Sequence, residues 1–240
     1  MKFLEPTITC LVMSHMKPTL REALESILTQ TRQTDVQVIV IDSGQWIGKE
    51  DDGSCVMRTV YRRYAAYPGL EWYFTGERTN ERTTVCPVAH WTNLAIRERL
   101  IRGKYLCFFF DDDLYEPTFM EKMGGYLDEH PDCEAVRCTQ RRVELRADGT
   151  RRELPPLVAE GPISGQNFDC RVDGGQVMLR TSVLSRIADP WLPEDPGETC
   201  SHSDGIFLNK VGGVIPQMDA LNETLYTHQH TIYSTYTPSR

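Results

Sequence analysis

The sequence has no apolar run approaching the ~18 residues of a membrane-spanning helix, so no integral membrane segment is expected. Its opening, MKFLEPTITC, holds no long apolar core of the kind a secretory leader carries, and the expectation is a cytoplasmic protein. An excess of positive charge is also missing: 26 Lys and Arg stand against 34 Asp and Glu, a formal net charge of −8. Nonspecific nucleic-acid binding depends on neutralising phosphates, and this balance argues against it while leaving room for a local basic pocket for one small anion. The eight cysteines, at positions 10, 55, 86, 107, 133, 138, 170 and 200, form no C-x-x-C pair, which removes the common zinc and dithiol motifs. Cys10 and Cys107 sit inside apolar runs and read as small, reduced core residues. No internal repeat, low-complexity tract or linker is visible. The 240 residues are 40% hydrophobic and 25% charged, enough to bury a sizeable core in one domain with two lobes.

What is present reads as alternating strands and helices. TITCLVM (7–13) is a β-rich apolar run, followed by KPTLREALESILTQT with Leu20, Leu24, Ile27 and Leu28 at helical spacing and Pro18 near the helix start. DVQVIVIDSG then reads as a second strand ending in Asp42, so the first ~45 residues predict a strand–helix–strand crossover between parallel strands. GLEWYFTGE (69–77) predicts a third strand, VAHWTNLAIRERLI (88–101) a helix, and KYLCFFF (104–110) a fourth strand. That last run is apolar at nearly every position, as expected of a strand covered on both faces. EPTFMEKMGGYLDEHP predicts a helix closed by Pro131. Beyond residue ~130 the pattern changes. CEAVRCTQRRVELRADGTRREL alternates around a D-G turn and predicts a hairpin; VDGGQVMLRTSVLSRI predicts a strand leading into a short helix; SHSDGIFLNKVGG predicts a helix; and TLYTHQHTIYSTYT is a β-rich tail.

The fourth predicted strand runs directly into Asp111, Asp112 and Asp113. Three adjacent carboxylates repel one another, and by default such a run is a solvated turn before the next helix. Two features point instead to a cation site. The strand before it is patterned for burial, and Asp42 ends a second strand in the same way. Open parallel sheets bind ligands beyond the carboxyl ends of their strands. Carboxylates there suit Mg2+ or Mn2+ shared with substrate phosphates. If strand geometry persisted, Asp111 and Asp113 would face one way and Asp112 the other.

The order PTITCLVMSHMKPTLREALESILTQT, DVQVIVIDSG, GERTNERT, NLAI, GKYLCFFFDDDLYEP, YLDEHPD, VMLRTSVL and SDGIFLNKVGG resembles the family 2 glycosyltransferases with the GT-A fold, including their spore-coat polysaccharide branch. The resemblance covers most of the chain. It implies an α/β GT-A fold, with a mostly parallel Rossmann-like sheet flanked by helices and a smaller antiparallel acceptor-side lobe. It implies a single domain over 1–240, with 1–130 as the nucleotide-sugar-binding half and 131–240 as the acceptor-binding half. The implied activity is metal-dependent, inverting transfer of a sugar from a nucleotide-diphosphate-sugar to a hydroxyl on a glycan, protein or small molecule. Asp42 would contact the base, Arg82 the nucleotide and Asp111 the ribose region, while Asp112 or Asp113 would ligate Mn2+ or Mg2+ on the diphosphate. Asp204 would be the general base. The stretch VMSHMKPT departs from the family's usual Pro-Thr-Tyr-Asn, which leaves Ser14 and His15 in the base pocket. IDSG departs from the commoner Asp-Asp-Gly-Ser.

Other candidates have simpler readings. Asp204 by itself is a first-turn helix carboxylate, favoured there by the helix dipole. His228 and His230 share a face if the tail is a strand, where they can complete a metal sphere or contact a diphosphate; the resemblance favours His230 as a ligand. The arginine pairs at 141–142 and 151–152 read as a solvated hairpin face, with an acidic acceptor as the alternative. Two rival functions remain. A sugar-nucleotide nucleotidyltransferase would normally carry a glycine-rich basic loop after the first strand, and MSHMKPT contains no glycine. A non-catalytic nucleotide-sugar-binding protein would keep the aspartates and need no base.

Overall fold

The computed structural model of the chain describes residues 5–14, 19–32, 35–42, 62–64, 67, 69–74, 87–165, 168, 171–192 and 203–231. Strand β1 (Ile8–Ser14) runs parallel to β2 (Val36–Asp42) on one side and to β4 (Tyr105–Phe110) on the other, and β3 (Leu70–Phe74) lies parallel beyond β2. Helix α1 (Leu20–Leu28) links β1 to β2 as the periodicity predicts, burying Leu20, Ala23, Leu24, Ile27 and Leu28. Helix α2 (Pro87–Arg97) precedes β4, and α3 (Phe119–Glu129) follows it.

The absence of alternation in these strands has a direct cause. Cys10, Val12, Val38, Val40, Cys107 and Phe109 face one core with α1 and α3; Leu11, Met13, Ile39, Ile41, Leu106 and Phe108 face a second core on the other side. Both faces are covered, so every position is selected for burial. The second core also takes Ala89 and Ala95 of α2 and Phe207, Leu208 and Val211 of α4 (Ser203–Gly212).

The second half extends the same sheet. Its strands are β5 (Leu114–Tyr115), β6 (Ala135–Leu145), β7 (Arg151–Leu157), β8 (Val177–Arg180) and β9 (Asp219–His230), giving the order β3-β2-β1-β4-β8-β6-β9-β5 with β7 paired to β6. The predicted hairpin is β6–β7, turned at Gly149 with φ +81°. The tail strand starts earlier than its β-rich composition suggests, at Asp219, and it lies parallel to β6. The β6–β9 register shifts at Cys138, Thr139 and Gln140, an irregularity of the kind that re-aims side chains beside functional sites.

A polar latch closes the opposite, N-terminal ends of the central strands. Thr9 Oγ1 donates to Gln37 Oε1 at 2.8 Å and accepts from the Gly103 N–H at 2.8 Å. A Cβ on Gly103 would lie 2.4 Å from Thr9 N, which is why a glycine stands there. Cys10, Cys107, Cys133 and Cys138 are buried and free, as expected of reduced core residues. Among the described residues no helix is long and apolar enough to cross a membrane.

Candidate active site

Ser14 and Asp42 are backbone partners at the ends of β1 and β2, and β4 ends one residue before Asp111. Ser14 Oγ donates to Asp111 Oδ2 at 3.2 Å. The chain turns at 111–112, so the strand alternation expected for the triplet does not continue. Asp111 leans back to β1, whereas Asp113 turns to β9, accepting from the Tyr226 hydroxyl and, at 3.0 Å, from the Gln229 N–H. Gln229 Nε2 donates to the Asp112 carbonyl at 2.8 Å. The three carboxylates are 1%, 5% and 0% exposed, which excludes a solvated turn.

A fourth carboxylate joins them. Asp173 caps the 3-10 turn at Gly174–Gln176, accepting from the Gly175 N–H at 2.9 Å while its own N–H donates to Gln176 Oε1 at 2.9 Å. It also accepts from Gln140 Nε2 at 3.2 Å and lies 3.1 Å from the Tyr226 hydroxyl. His228 Nδ1 stands 3.1 Å from Asp113 Oδ1 and 3.7 Å from Asp173 Oδ2, near enough to pair with both and aligned for a hydrogen bond with neither. Burial opposes charge on His228, but Asp113, Asp173 and Asp112 outweigh it and push the imidazole up to about 10. Burial raises Asp113 to about 6 even with His228 opposing. His230 packs edge-on against His228 at 4.5 Å, and its Nε2 lies 3.2 Å from an Arg142 Nη2. Burial, then the charges of His228 and Arg142, lower His230 to about 4.

Asp204 opens α4 beside this cluster. Its Oδ2 accepts from the Gly174 N–H at 3.1 Å, and it borders a pocket lined by Met13, Phe108, Phe110, Leu192 and Phe207, with Thr92 as a further polar member. Asn93 of α2 holds Leu192 there through two bonds of 2.9 Å to its backbone. Burial, then the charge of Asp173, raises Asp204 to about 6. A carboxylate tuned toward neutrality beside a pocket is suited to exchanging a proton.

No protein-family model matches the chain. Protein CgeD of Bacillus subtilis (strain 168) is 22% identical over 229 residues, covering 93% of this chain and 50% of that protein. The crystal structure of S. aureus TarS 1-349 in complex with UDP-GlcNAc superposes with a TM-score of 0.65 at 16% identity, covering 93% of this chain and 58% of that one. The mannosyltransferase PcManGT from Pyrobaculum calidifontis, in complex with GDP-Man and Mn2+, superposes with a TM-score of 0.61 at 18% identity, covering 94% and 57%. The fold is that of the GT-A glycosyltransferases. The chain spans about half to three fifths of the length of these relatives.

Within this GT-A fold, the structure brings Ser14, the end of β2 at Asp42, Asp111, Asp112, Asp113, Asp204 and His230 to the carboxyl-end side of the central strands. His15, Arg82 and the Asp42 side chain lie outside the described residues. Of the two histidines, His228 is the one beside the carboxylates, whereas His230 turns its Nε2 to Arg142. Sequence reasoning missed Asp173, Tyr226, Gln140 and Gln229. Only Asp173 carried a local signal: Asp173 and Gln176 have the spacing of a capping box. Among the described residues no group of three or more His, Cys, Asp or Glu is arranged to hold a metal ion. The donor chemistry nevertheless suits a hard divalent cation, because Asp112, Asp113 and Asp173 crowd one buried place where the cation of His228 now stands.

Proposed function

We propose that the protein transfers a sugar from a nucleotide-diphosphate-sugar donor to an acceptor hydroxyl, aided by Mn2+ or Mg2+ and with inversion at the anomeric carbon. One observation carries the reading. In a GT-A fold, Ser14, Asp42 and the buried aspartates 111–113 meet at the carboxyl ends of β1, β2 and β4, and Asp204 borders the pocket that Met13 and Phe110 form there. UDP-GlcNAc in TarS, and GDP-Man with Mn2+ in the mannosyltransferase, support the same class of donor and ion here.

In this reading Ser14, Asp42 and Asp111 hold the nucleoside half of the donor, with His15 and Arg82 assigned to it by resemblance. Asp112 and Asp113 would hold the cation, with His228 able to join them only on giving up its proton to solvent. That ion, when bound, supplies the charge that offsets the departing nucleoside diphosphate. Asp204 takes the acceptor's proton as the hydroxyl attacks, and its apolar surroundings keep water from competing. Attack on the face opposite the leaving group inverts the sugar. Residues 1–130 serve mainly the donor and 131–240 mainly the acceptor, but β9 lends Tyr226, His228 and Gln229 to the donor end.

The test is a product assay with UDP- and GDP-sugars, Mn2+ and hydroxyl acceptors. Release of free nucleoside diphosphate, with an inverted product by NMR, supports the proposal. Release of pyrophosphate would make the protein a nucleotidyltransferase, and tight donor binding without turnover would make it a binding protein.

A further inference from the structure

The arginine pairs on the hairpin read from sequence as a solvated face, and Arg141 and Arg152 behave so, pairing with Glu153 and Glu144. Arg142 differs. It is half-buried and, among the described residues, meets no carboxylate; the hydrogen-bond partner of its guanidinium is His230 Nε2 at 3.2 Å. A guanidinium can only donate, so Nε2 must accept and the ring proton of His230 sits on Nδ1. That Nδ1 is buried without a partner, in a side chain only 6% exposed. Among the described residues, the guanidinium of Arg142 therefore keeps N–H donors that no protein acceptor takes, while His230 holds it in place through Nε2. In the β6–β9 register Arg142 lies opposite His228, on the face that carries Gln140 and Tyr226, the partners of Asp113 and Asp173.

We propose that Arg142, positioned by His230, forms an oxyanion subsite for a phosphate group of a substrate, one histidine ring away from the aspartate cluster. The inference rests on the glycosyl-transfer reading and deepens it: the phosphate belongs either to the donor's diphosphate or to a phosphorylated acceptor. An incompletely paired, half-buried cation is unfavourable until an anion reaches it. The planar fork of arginine matches phosphate geometry.

Calorimetric titration of the intact chain, in the wild type, Arg142→Ala and Arg142→Lys, tests this, with thermal melting to check folding. In the donor arm, UDP and GDP should bind Arg142→Ala roughly ten- to hundredfold more weakly, with the free nucleosides unaffected and Arg142→Lys intermediate. In the acceptor arm, glycerol 3-phosphate is added to nucleotide-saturated protein; a loss confined to this arm assigns the phosphate to the acceptor. Unchanged affinity in both arms overturns the subsite. Should Arg142→Ala not fold, the same comparison is made with Arg142→Lys: weakening supports the subsite and unchanged affinity overturns it. Should the wild type bind neither UDP nor GDP, the glycosyl-transfer reading fails, and inorganic pyrophosphate tests the subsite alone: binding that Arg142→Ala weakens sustains it, and equal or absent binding overturns it.

Discussion

Asp204 is docked against Gly174: the glycine N–H donates to its Oδ2 at 3.1 Å, and a Cβ on Gly174 would stand 3.2 Å from the Cβ of Asp204. Among the described residues the carboxylate is thereby held at the pocket edge by the backbone. Asp204→Asn preserves an oxygen acceptor for that N–H and removes the carboxylate proposed as the base. Turnover should fall roughly 10²–10⁴-fold while nucleoside diphosphate affinity, measured by titration, stays near wild type. Turnover that survives the change would remove Asp204 from the mechanism.

The same aspartate should leave a mark on stability. A carboxyl whose folded pKa is raised keeps its proton longer in the folded state than in the unfolded chain. Between the ordinary 3.8 and about 6 the folded protein binds more protons than the unfolded, so this group's contribution to stability falls as pH rises across that window. Asp204→Asn should therefore melt above wild type at pH well over 6, and the gain should vanish below 3.8. Melting curves for both proteins across the range measure it; a gain present only at acid pH contradicts the sign.

The aspartate end of this site was legible in the sequence for a local reason. An apolar run such as residues 105–110 announces a strand covered on both faces, and whatever polar group follows it must lie at the sheet's edge, so the run itself assigns Asp111, Asp112 and Asp113 to that edge. Among the described residues of the first ~130, β1, α1, β2, β3, α2, β4 and α3 stand where the periodicity puts them, whereas the two-residue β5 and the helical residues 62–64 gave no such signal. Tyr226 and Gln140 gave no such signal. Each is a polar residue in an alternating strand, and what brings them to Asp113 and Asp173 is the parallel β6–β9 pairing with its register shift, a contact between distant segments that no local pattern encodes. The same pairing decides between the histidines, turning His228 to the carboxylates and His230 to Arg142.

Tyr226 makes a sharp test of that long-range contact. Its hydroxyl donates to Asp113 and lies 3.1 Å from Asp173, one proton set between two carboxylates. Tyr226→Phe keeps the ring and leaves both groups short of a donor, which should cost about 1–3 kcal/mol in chemical denaturation. A neutral substitution would mean that the ring merely fills space.

Metal dependence can be separated from the charge already built in. With His228 pushed up to about 10, the aspartate cluster carries its own cation in the absence of a metal. If a divalent ion completes the donor site, chelator-treated protein should bind UDP or GDP at least about tenfold more weakly, Mn2+ or Mg2+ should restore binding, and Asp113→Asn should blunt the restoration. Equal binding with and without the ion would mean that the imidazolium suffices for the diphosphate.

Two adjacent glycines then separate the two ends of the site. A Cβ at Gly175 would lie 2.3 Å from Tyr226 Cζ and 2.5 Å from its hydroxyl oxygen, so alanine there must drive the tyrosine off Asp113 and Asp173. A Cβ at Gly174 meets Asp204 most closely, at 3.2 Å, a contact relieved by a shift of a few tenths of an ångström. Gly175→Ala should therefore destabilise by about 1–3 kcal/mol and weaken nucleoside diphosphate binding through the displaced carboxylates. Gly174→Ala should cost less stability and act on turnover at saturating donor, because what moves is Asp204, the proposed base. Denaturation midpoints and a kcat-against-Kd comparison of the two variants decide it. If both lose donor affinity alike, Asp204 is part of the donor site rather than the group that receives the acceptor's proton.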